Sequence, residues 1–313
     1  MTTALVLIAI SVMVAFLVLY FVFPNRLVAV ALSAVRRSCG FGSRSIEVSG
    51  DPWHYLEGGP ASAETLVLLH GFGGDKDNWP LYARALNRDY RVIIPDLPGF
   101  GQSIRRPDAD YRIRAQTARL QAFIRAMCID RFHIAGNSMG GCLALDYALT
   151  YPRQVRTVAL LNNAGVHGRT KSELELAVER GESPLTVATA DEFEKLLTFV
   201  AHKPFRLPGI VKRVYCEDAI THRRFLDRVF ESLFEELQLR PWTDELERLT
   251  APTLIIWGRH DRLIDVSCTE VMQARIPNNH CVVFEDVGHV PMLECPTEAA
   301  AVHLEHLIKN RAA

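Results

Sequence analysis

The chain has 313 residues, of which 49% are hydrophobic and 23% are charged. This composition is typical of a packed globular protein with one large domain or two ordinary ones, and it excludes disorder over most of the length. The formal net charge of −1 gives no reason to expect nucleic acid as a partner. Seven cysteines without a Cys-x-x-Cys spacing predict neither a disulfide framework nor a zinc site.

The first predicted element is an uncharged apolar run at 4–23. As a helix it would span roughly 30 Å, the thickness of the hydrocarbon core of a bilayer. We therefore predict an uncleaved transmembrane anchor. A cleaved signal peptide is the alternative, because Ala-Val-Ala at 29–31 resembles a cleavage site, but no Lys or Arg precedes the run.

A second apolar stretch at 24–38 follows the predicted span and ends in two arginines. It predicts a juxtamembrane helix that lies near the lipid headgroups. Four arginines follow the span, at Arg26, Arg36, Arg37 and Arg44, and a literal count of these charges would place the rest of the chain in the cytoplasm.

From residue 44 onward, short β-prone runs alternate with helical stretches. Such an alternation predicts an α/β fold with a mostly parallel sheet and right-handed crossovers, here a core at 44–164 and 250–313. Strands are predicted at 44–48, 53–57, 65–69, 91–95, 131–135, 157–161, 253–257 and 281–284, and helices at 78–87, 115–128, 143–151 and 296–310. The first two strands form a predicted hairpin.

The stretch at 165–249 interrupts this rhythm, because it contains amphipathic helical sequence and no buried strand. Its clearest helices are predicted at 172–180, 190–202 and 222–239. We interpret it as a helical lid over the carboxyl ends of the strands, where open α/β sheets place their sites. The alternative is an independent helical domain.

The strongest chemical motif is Gly136-Asn137-Ser138-Met139-Gly140, which follows a predicted strand and precedes a predicted helix. A serine on a sharp strand-to-helix turn needs small neighbours on either side, because strand and helix come close together there. A chance match in a loop is the alternative for so short a pattern. If the turn forms, Ser138 is a candidate nucleophile.

A serine nucleophile needs a histidine base that a carboxylate orients. His289 lies after the last predicted strand, where a loop can bring its ring to the sheet edge near Ser138. Asp261 follows the strand at 253–257 and is the predicted carboxylate, with Asp265 as its nearest rival. A helix cap or an exposed charge is the alternative role for either aspartate.

Acyl transfer also needs two N–H donors for the oxyanion. The residue after the nucleophile, Met139, supplies one predicted donor. Phe72, in the loop after the strand at 65–69, supplies the other, and His70 is expected to hold that loop in place.

Five motifs in this order resemble the α/β-hydrolase superfamily, and the resemblance covers the chain from residue 44 to its end. They are His70-Gly71-Phe72-Gly73-Gly74, Asp96-x-Pro98-Gly99-x-Gly101-x-Ser103, the Gly136-to-Gly140 elbow, Gly258-x-x-Asp261 and Gly288-His289. The chain order Ser138, Asp261, His289 is the one expected for this family. The resemblance implies a serine hydrolase that requires neither metal nor cofactor.

The elbow is also similar to that of hydrolases that cleave C–C bonds in ring-fission products, which carry Trp after the catalytic histidine. Here Val290 follows His289, which favours ester chemistry. Together with the anchor, the chain resembles membrane-anchored bacterial phospholipases A. That resemblance implies release of fatty acids from glycerophospholipids and lysophospholipids, a homodimer formed through the membrane-proximal helices, and an inner-membrane location with a periplasmic catalytic domain.

The periplasmic side conflicts with the arginine count, and we follow the resemblance because loop charge only biases topology. The remaining alternatives are a carboxylesterase of small esters, a C–C bond hydrolase, and an inactive hydrolase fold that serves as a ligand-binding scaffold.

Overall fold

The computed structural model describes residues 20–204 and 207–311, together with the single positions Leu5 and Met13. The predicted membrane anchor at 4–23 therefore lies mostly outside the described residues. Within the described ranges, no helix combines the length and the apolar character needed to cross a bilayer.

The strands of the described part form one eight-stranded sheet in the order β1-β2-β4-β3-β5-β6-β7-β8. The strands are β1 Phe41–Val48, β2 Asp51–Gly58, β3 Thr65–Leu69, β4 Arg91–Pro95, β5 Phe132–Asn137, β6 Val155–Leu161, β7 Thr253–Gly258 and β8 Asn279–Phe284. β2 pairs antiparallel with β1 and β4, and all other neighbours are parallel. This arrangement confirms the predicted mostly parallel α/β sheet and its terminal hairpin.

The helices of the described part flank this sheet or lie in the insertion between β6 and β7. They are α1 Pro24–Ser38, α2 Pro80–Ala83, α3 Ile113–Ala126, α4 Met139–Thr150, α5 Glu173–Glu179, α6 Ala190–Val200, α7 Gly209–Thr221, α8 Arg223–Leu239, α9 Cys268–Arg275, α10 Pro291–Glu294 and α11 Pro296–Lys309.

Alternating side chains of the central strands divide the core into two layers. In β3, Val67 and Leu69 pack into the layer that contains α3 and α4, whereas Leu66 and Leu68 pack into the layer that contains α2 and α11. Because a strand sends successive side chains to opposite faces, a strand covered on both faces is apolar throughout. The continuous apolar runs in the sequence have this cause.

The predicted helix at 78–87 is wrong in its extent. The structure has a four-residue helix, Pro80–Ala83, between the 3₁₀ turns Lys76–Asn78 and Leu86–Arg88. Pro80 sets the start because it has no N–H to donate. The 3₁₀ turns keep the helix-like spacing of the buried apolar residues, which is why the pattern predicts one longer helix.

The insertion between β6 and β7 contains α5, α6, α7 and α8 and, in its described residues, no strand. This agrees with the predicted helical character of 165–249. Phe230 of α8 packs against Phe72, with ring centroids 5.6 Å apart. The insertion therefore contacts the loop that follows β3, at the carboxyl edge of the sheet.

Candidate active site

Ser138 lies between the last residue of β5 and the first residue of α4. Its backbone has φ of 55° and ψ of −120°, a conformation that is strained for any residue with a side chain. The Ser138 N–H donates to the carbonyl of Leu161 at 3.0 Å, and its carbonyl accepts from the N–H of Cys142 at 3.0 Å. The neighbouring strand and the helix together hold the turn, and the half-buried serine stands at the sheet edge.

The glycines on either side of this serine are required by close backbone contacts. A Cβ atom on Gly136 would lie 2.1 Å from the carbonyl oxygen of Gly140. One on Gly140 would lie 2.4 Å from the carbonyl oxygens of Leu69 and His70. No side chain fits at either position, so the elbow depends on both glycines.

His289 and Asp261 meet at this edge, although they lie on different loops after β8 and β7. His289 Nδ1 is 2.8 Å from Asp261 Oδ2, and the two side chains are 4% and 0% exposed. The other carboxylate oxygen accepts backbone N–H groups from Leu263 at 2.8 Å and Ile264 at 3.0 Å. A buried carboxylate needs such partners, and these bonds fix its orientation.

Asp265, the alternative to Asp261, has a different hydrogen-bond partner. Its Oδ1 accepts the backbone N–H of Ser267 at 2.9 Å, in the turn that precedes α9. Of the two predicted carboxylates, Asp261 is the one that meets His289.

The loop that carries His289 is tied to three parts of the molecule. The His289 carbonyl accepts from the side-chain amide of Asn137, next to Ser138, at 3.0 Å, and its N–H donates to the carbonyl of Val200 at 2.9 Å. The carboxylate of Glu294 accepts the N–H of Gly288 at 3.0 Å. The histidine loop is thus bound to the elbow, to the insertion and to α10.

Asn162 was missed as a functional candidate by the sequence reasoning. Its side-chain amide donates to Asp261 Oδ2 at 2.7 Å and to the carbonyl of Gly288 at 3.3 Å. The residue has a φ of 45°, in the left-handed region that asparagine tolerates better than most residues. Its position directly after β6, at the same sheet edge as the other site residues, is the signal that could have found it.

The loop after β3 runs beside the serine. A Cβ atom on Gly71 would lie 3.1 Å from Ser138 Cβ. His70 Nε2 accepts the N–H of Leu97 at 3.0 Å, and its Nδ1 donates to the carbonyl of Gly71 at 2.8 Å. Burial lowers the pKa of His70, so the ring is neutral and can make both bonds. Phe72 follows directly, and Met139 lies buried at the start of α4.

A buried ion pair fixes the far end of the same loop. Lys76 Nζ lies 2.6 Å from Asp96 Oδ2, and the two side chains are 3% and 0% exposed. The backbone N–H of Lys76 also donates to Asp96 Oδ1 at 2.8 Å. Asp96 begins one of the five sequence motifs, but that motif does not indicate Lys76 as its partner.

Ser138 lines a cavity between the insertion and the elbow. Its lining is mostly apolar and comes largely from the insertion. The lining includes Phe72, Met139, Leu174, Leu185, Phe230, Leu233, Phe234, Leu237, Leu263 and Ile264. An adjoining cleft shares His167, Glu175 and Gln238 with it and adds Arg169 and Lys171. The cavity can therefore take an apolar chain at the serine with a polar group in the cleft.

A family model described as the alpha/beta hydrolase fold matches residues 64–296, more than half of the chain. The chain belongs to the α/β-hydrolase family. This membership agrees with the elbow geometry and with the sheet order, and it confirms the resemblance that the five sequence motifs indicated.

Three similar proteins indicate which class of reaction this α/β hydrolase catalyses. The crystal structure of a membrane phospholipase A, described as a bacterial virulence factor, is 42% identical with a TM-score of 0.91, and the match covers 100% of both chains. Lipase 1 of Psychrobacter immobilis is 36% identical over 255 residues, which are 80% of this chain and 79% of the lipase. A meta-cleavage product hydrolase of Pseudomonas fluorescens is 26% identical with a TM-score of 0.73, over 86% of this chain and 98% of that chain. The likeness to lipases confirms the predicted enzyme class, a hydrolase of carboxylic esters.

Proposed function

We propose that this α/β hydrolase is a membrane-anchored serine hydrolase that releases fatty acids from glycerophospholipids and lysophospholipids. The observation that carries the proposal is a mostly apolar cavity lined by Ser138, on an elbow whose Asn137 side chain bonds to the backbone of His289, the partner of Asp261. The likeness to a membrane phospholipase A over the full chain supports the substrate class.

In the proposed mechanism, His289 removes the proton of the Ser138 hydroxyl, and the serine oxygen attacks the acyl carbonyl carbon. Asp261 orients the imidazole and stabilises the imidazolium that forms. The N–H groups of Phe72 and Met139 bind the oxyanion. His289 then gives its proton to the leaving alcohol, and water attacks the acyl-enzyme in a second cycle that releases the fatty acid and restores the serine.

The acyl chain is proposed to occupy the apolar cavity beneath the insertion. In this assignment, residues 165–249 form a lid over a core at 44–164 and 250–313. The adjoining cleft carries charges of both signs: Arg169 pairs with Glu270, Lys171 pairs with Glu179, and Glu175 also lines the cleft. The apolar lining matches an acyl chain, and the polar cleft of mixed charge beside it matches a polar head group.

Membrane attachment is proposed through an anchor at 4–23 and a juxtamembrane helix at 24–38. In support, Phe21, Val22 and Val30 are more than three-fifths exposed near the start of the described residues. An amphiphilic surface of this kind favours contact with lipid or with a second copy of the chain. We further propose an inner-membrane protein with a periplasmic catalytic domain that forms a homodimer through these helices. Reporters of compartment fused to the C-terminus, and cross-linking in membranes, test these assignments.

A comparison of substrates tests the function. The purified protein would be assayed with a diacyl phospholipid, a lysophospholipid, p-nitrophenyl butyrate and a ring-fission dienone, with Ser138→Ala as the blank. We expect fatty-acid release from both lipids, which the variant lacks. Hydrolysis of the dienone or of the short ester without lipid hydrolysis would overturn the phospholipid assignment in favour of a C–C hydrolase or a small-ester carboxylesterase. No hydrolysis of any substrate would favour a binding scaffold.

A further inference from the structure

An ion pair links helix α1 to the loop that follows β3. Arg36 Nε lies 2.6 Å from Asp77 Oδ1, and Arg36 Nη2 lies 2.5 Å from Asp77 Oδ2. The side chains are 14% and 7% exposed. A bidentate ion pair between a guanidinium and a carboxylate that is mostly buried is stronger and more directional than an ordinary surface ion pair.

The neighbouring arginine shows that this contact is specific to one position. Arg37 is exposed and donates to Ser33 Oγ at 3.0 Å, within its own helix. The two arginines have the same chemistry and adjacent places in the sequence. Of these two arginines, Arg36 is the one that contacts the loop after β3.

Hydrogen bonds within the loop lie on both sides of its middle, at 75–78 and at 71–74, and the second of these turns contains Phe72. The Asp77 N–H donates to Asp75 Oδ1 at 2.7 Å, and the Asp75 N–H donates to the side chain of Asn78 at 3.2 Å. The Gly74 N–H donates to the carbonyl of Gly71 at 3.2 Å. Residues 71–78 are therefore one folded unit, so a shift of its outer end would be transmitted to Phe72.

The negative charges of the 71–78 loop make its conformation depend on Arg36. Asp75, Asp77 and Asp96 lie close together, and burial with the carboxylates of Asp77 and Asp96 raises the pKa of Asp75 to about 7. Lys76 and Arg36 supply the positive charges bonded to this group. Without Arg36, the repulsion between Asp75 and Asp77 would be less compensated, and the loop would have to open or take up a proton.

The helical insertion contacts the same unit from another side. The Tyr215 hydroxyl on α7 donates to Asp75 Oδ2 at 3.2 Å. Arg213, on the same helix, donates to the carbonyl of Tyr20 at 2.6 Å, just before α1. Helix α7 is therefore bonded to the loop and to the segment that precedes α1, and it packs against α1 itself.

We propose that Arg36 is a positioning residue for catalysis: its ion pair with Asp77 holds the loop so that the Phe72 N–H faces the oxyanion, and the placement of helix α1 thereby sets the activity of the site. Arg36 itself does not touch the substrate. The inference rests on the proposed function, in which Phe72 supplies an oxyanion donor. Displacing such a donor by about 1 Å can lower the rate on the order of a hundredfold.

The test compares Arg36→Gln with Arg37→Gln in the full chain, using p-nitrophenyl butyrate as a small soluble ester. For Arg36→Gln we expect kcat to fall by about tenfold with KM nearly unchanged, since the oxyanion forms only in the transition state. Affinity for a trifluoromethyl ketone, which forms an oxyanion adduct with the serine, should fall by about the same factor. Arg37→Gln should leave all three quantities within about twofold.

Further variants separate positioning from folding. Asp77→Asn breaks the same ion pair but keeps the shape of the side chain, and we expect it to lower kcat by a similar factor. It replaces Arg36→Gln as the test variant if Arg36→Gln does not fold. Restoration of the pair by Arg36→Asp with Asp77→Arg should recover part of the rate. Equal kcat values and equal ketone affinities for Arg36→Gln and Arg37→Gln, in folded protein with a normal melting temperature, would overturn the inference. Activity retained by Ser138→Ala in the same assay would instead overturn the proposed function, and this inference with it.

Discussion

Replacing Asn162 by glycine would remove the amide that donates to Asp261 Oδ2 at 2.7 Å. The carboxylate would keep its bonds to His289 and to the backbone of Leu263 and Ile264, so it would stay in place but lose a restraint on the oxygen that faces the histidine. A hydrogen bond to a charged group contributes about 1.5 to 3 kcal/mol. If half of this is realised in the transition state, kcat falls by about three- to twelvefold, because about 1.4 kcal/mol corresponds to one factor of ten.

Two variants separate this effect from stability. Asn162 has a φ of 45°, so alanine there costs about 1 to 2 kcal/mol of backbone strain that glycine avoids. Asn162→Ala and Asn162→Gly should therefore differ in melting temperature and agree in kcat. The adjacent Asn163→Ala serves as the control, since its amide donates to the carbonyl of Ala164. Ester hydrolysis by Asn162→Gly within twofold of the parent would refute the role given to this amide.

Three further outcomes follow from the same structure. Gly136→Ala places a Cβ atom 2.1 Å from a backbone carbonyl oxygen, so we expect it to lower the stability by about 4 kcal/mol or more, measured by urea unfolding against Gly209→Ala, where nothing lies within 4 Å. Burial lowers the pKa of His133 and of His306 to about 4, so the folded state favours the neutral ring of each. Their contribution to the free energy of unfolding is therefore complete above about pH 6.5 and is lost as the pH falls towards 4. Each histidine contributes up to about 3 kcal/mol, and an unfolding free energy unchanged between pH 7 and pH 4.5 would contradict this. Leu233→Trp fills the cavity and should reduce release of long acyl chains by about tenfold or more while butyrate esters react normally, as a chain-length series would show.

Much of the scaffold could be predicted because it depends on local patterns. The buried strands β3 and β7 are nearly continuous apolar runs, and the elbow requires glycines that the sequence displays directly. The histidine and its carboxylate were predictable for a related reason, since parallel strands bring their carboxyl ends to one edge of the sheet. Position relative to a strand end thus identified the pair that the structure joins.

The residues that hold the site were not predictable in the same way. Glu294 and the Lys76–Asp96 pair act through contacts between loops that are distant in sequence, and no spacing links the partners. Asn162 follows a strand end, but nothing along the chain indicates that its amide bonds to Asp261. The link from Arg36 to Asp77 has the same character. A pattern read along the chain places elements, whereas these contacts depend on how the elements pack.

The most direct test of the central claim is the reaction of the protein with a fluorophosphonate, followed by mass spectrometry of the modified peptide. We predict a single adduct on Ser138, formed in step with the loss of lipid hydrolysis and absent from Ser138→Ala. Full labelling with hydrolysis retained, or a label on another residue that accounts for the loss, would contradict the assignment of Ser138 as the nucleophile.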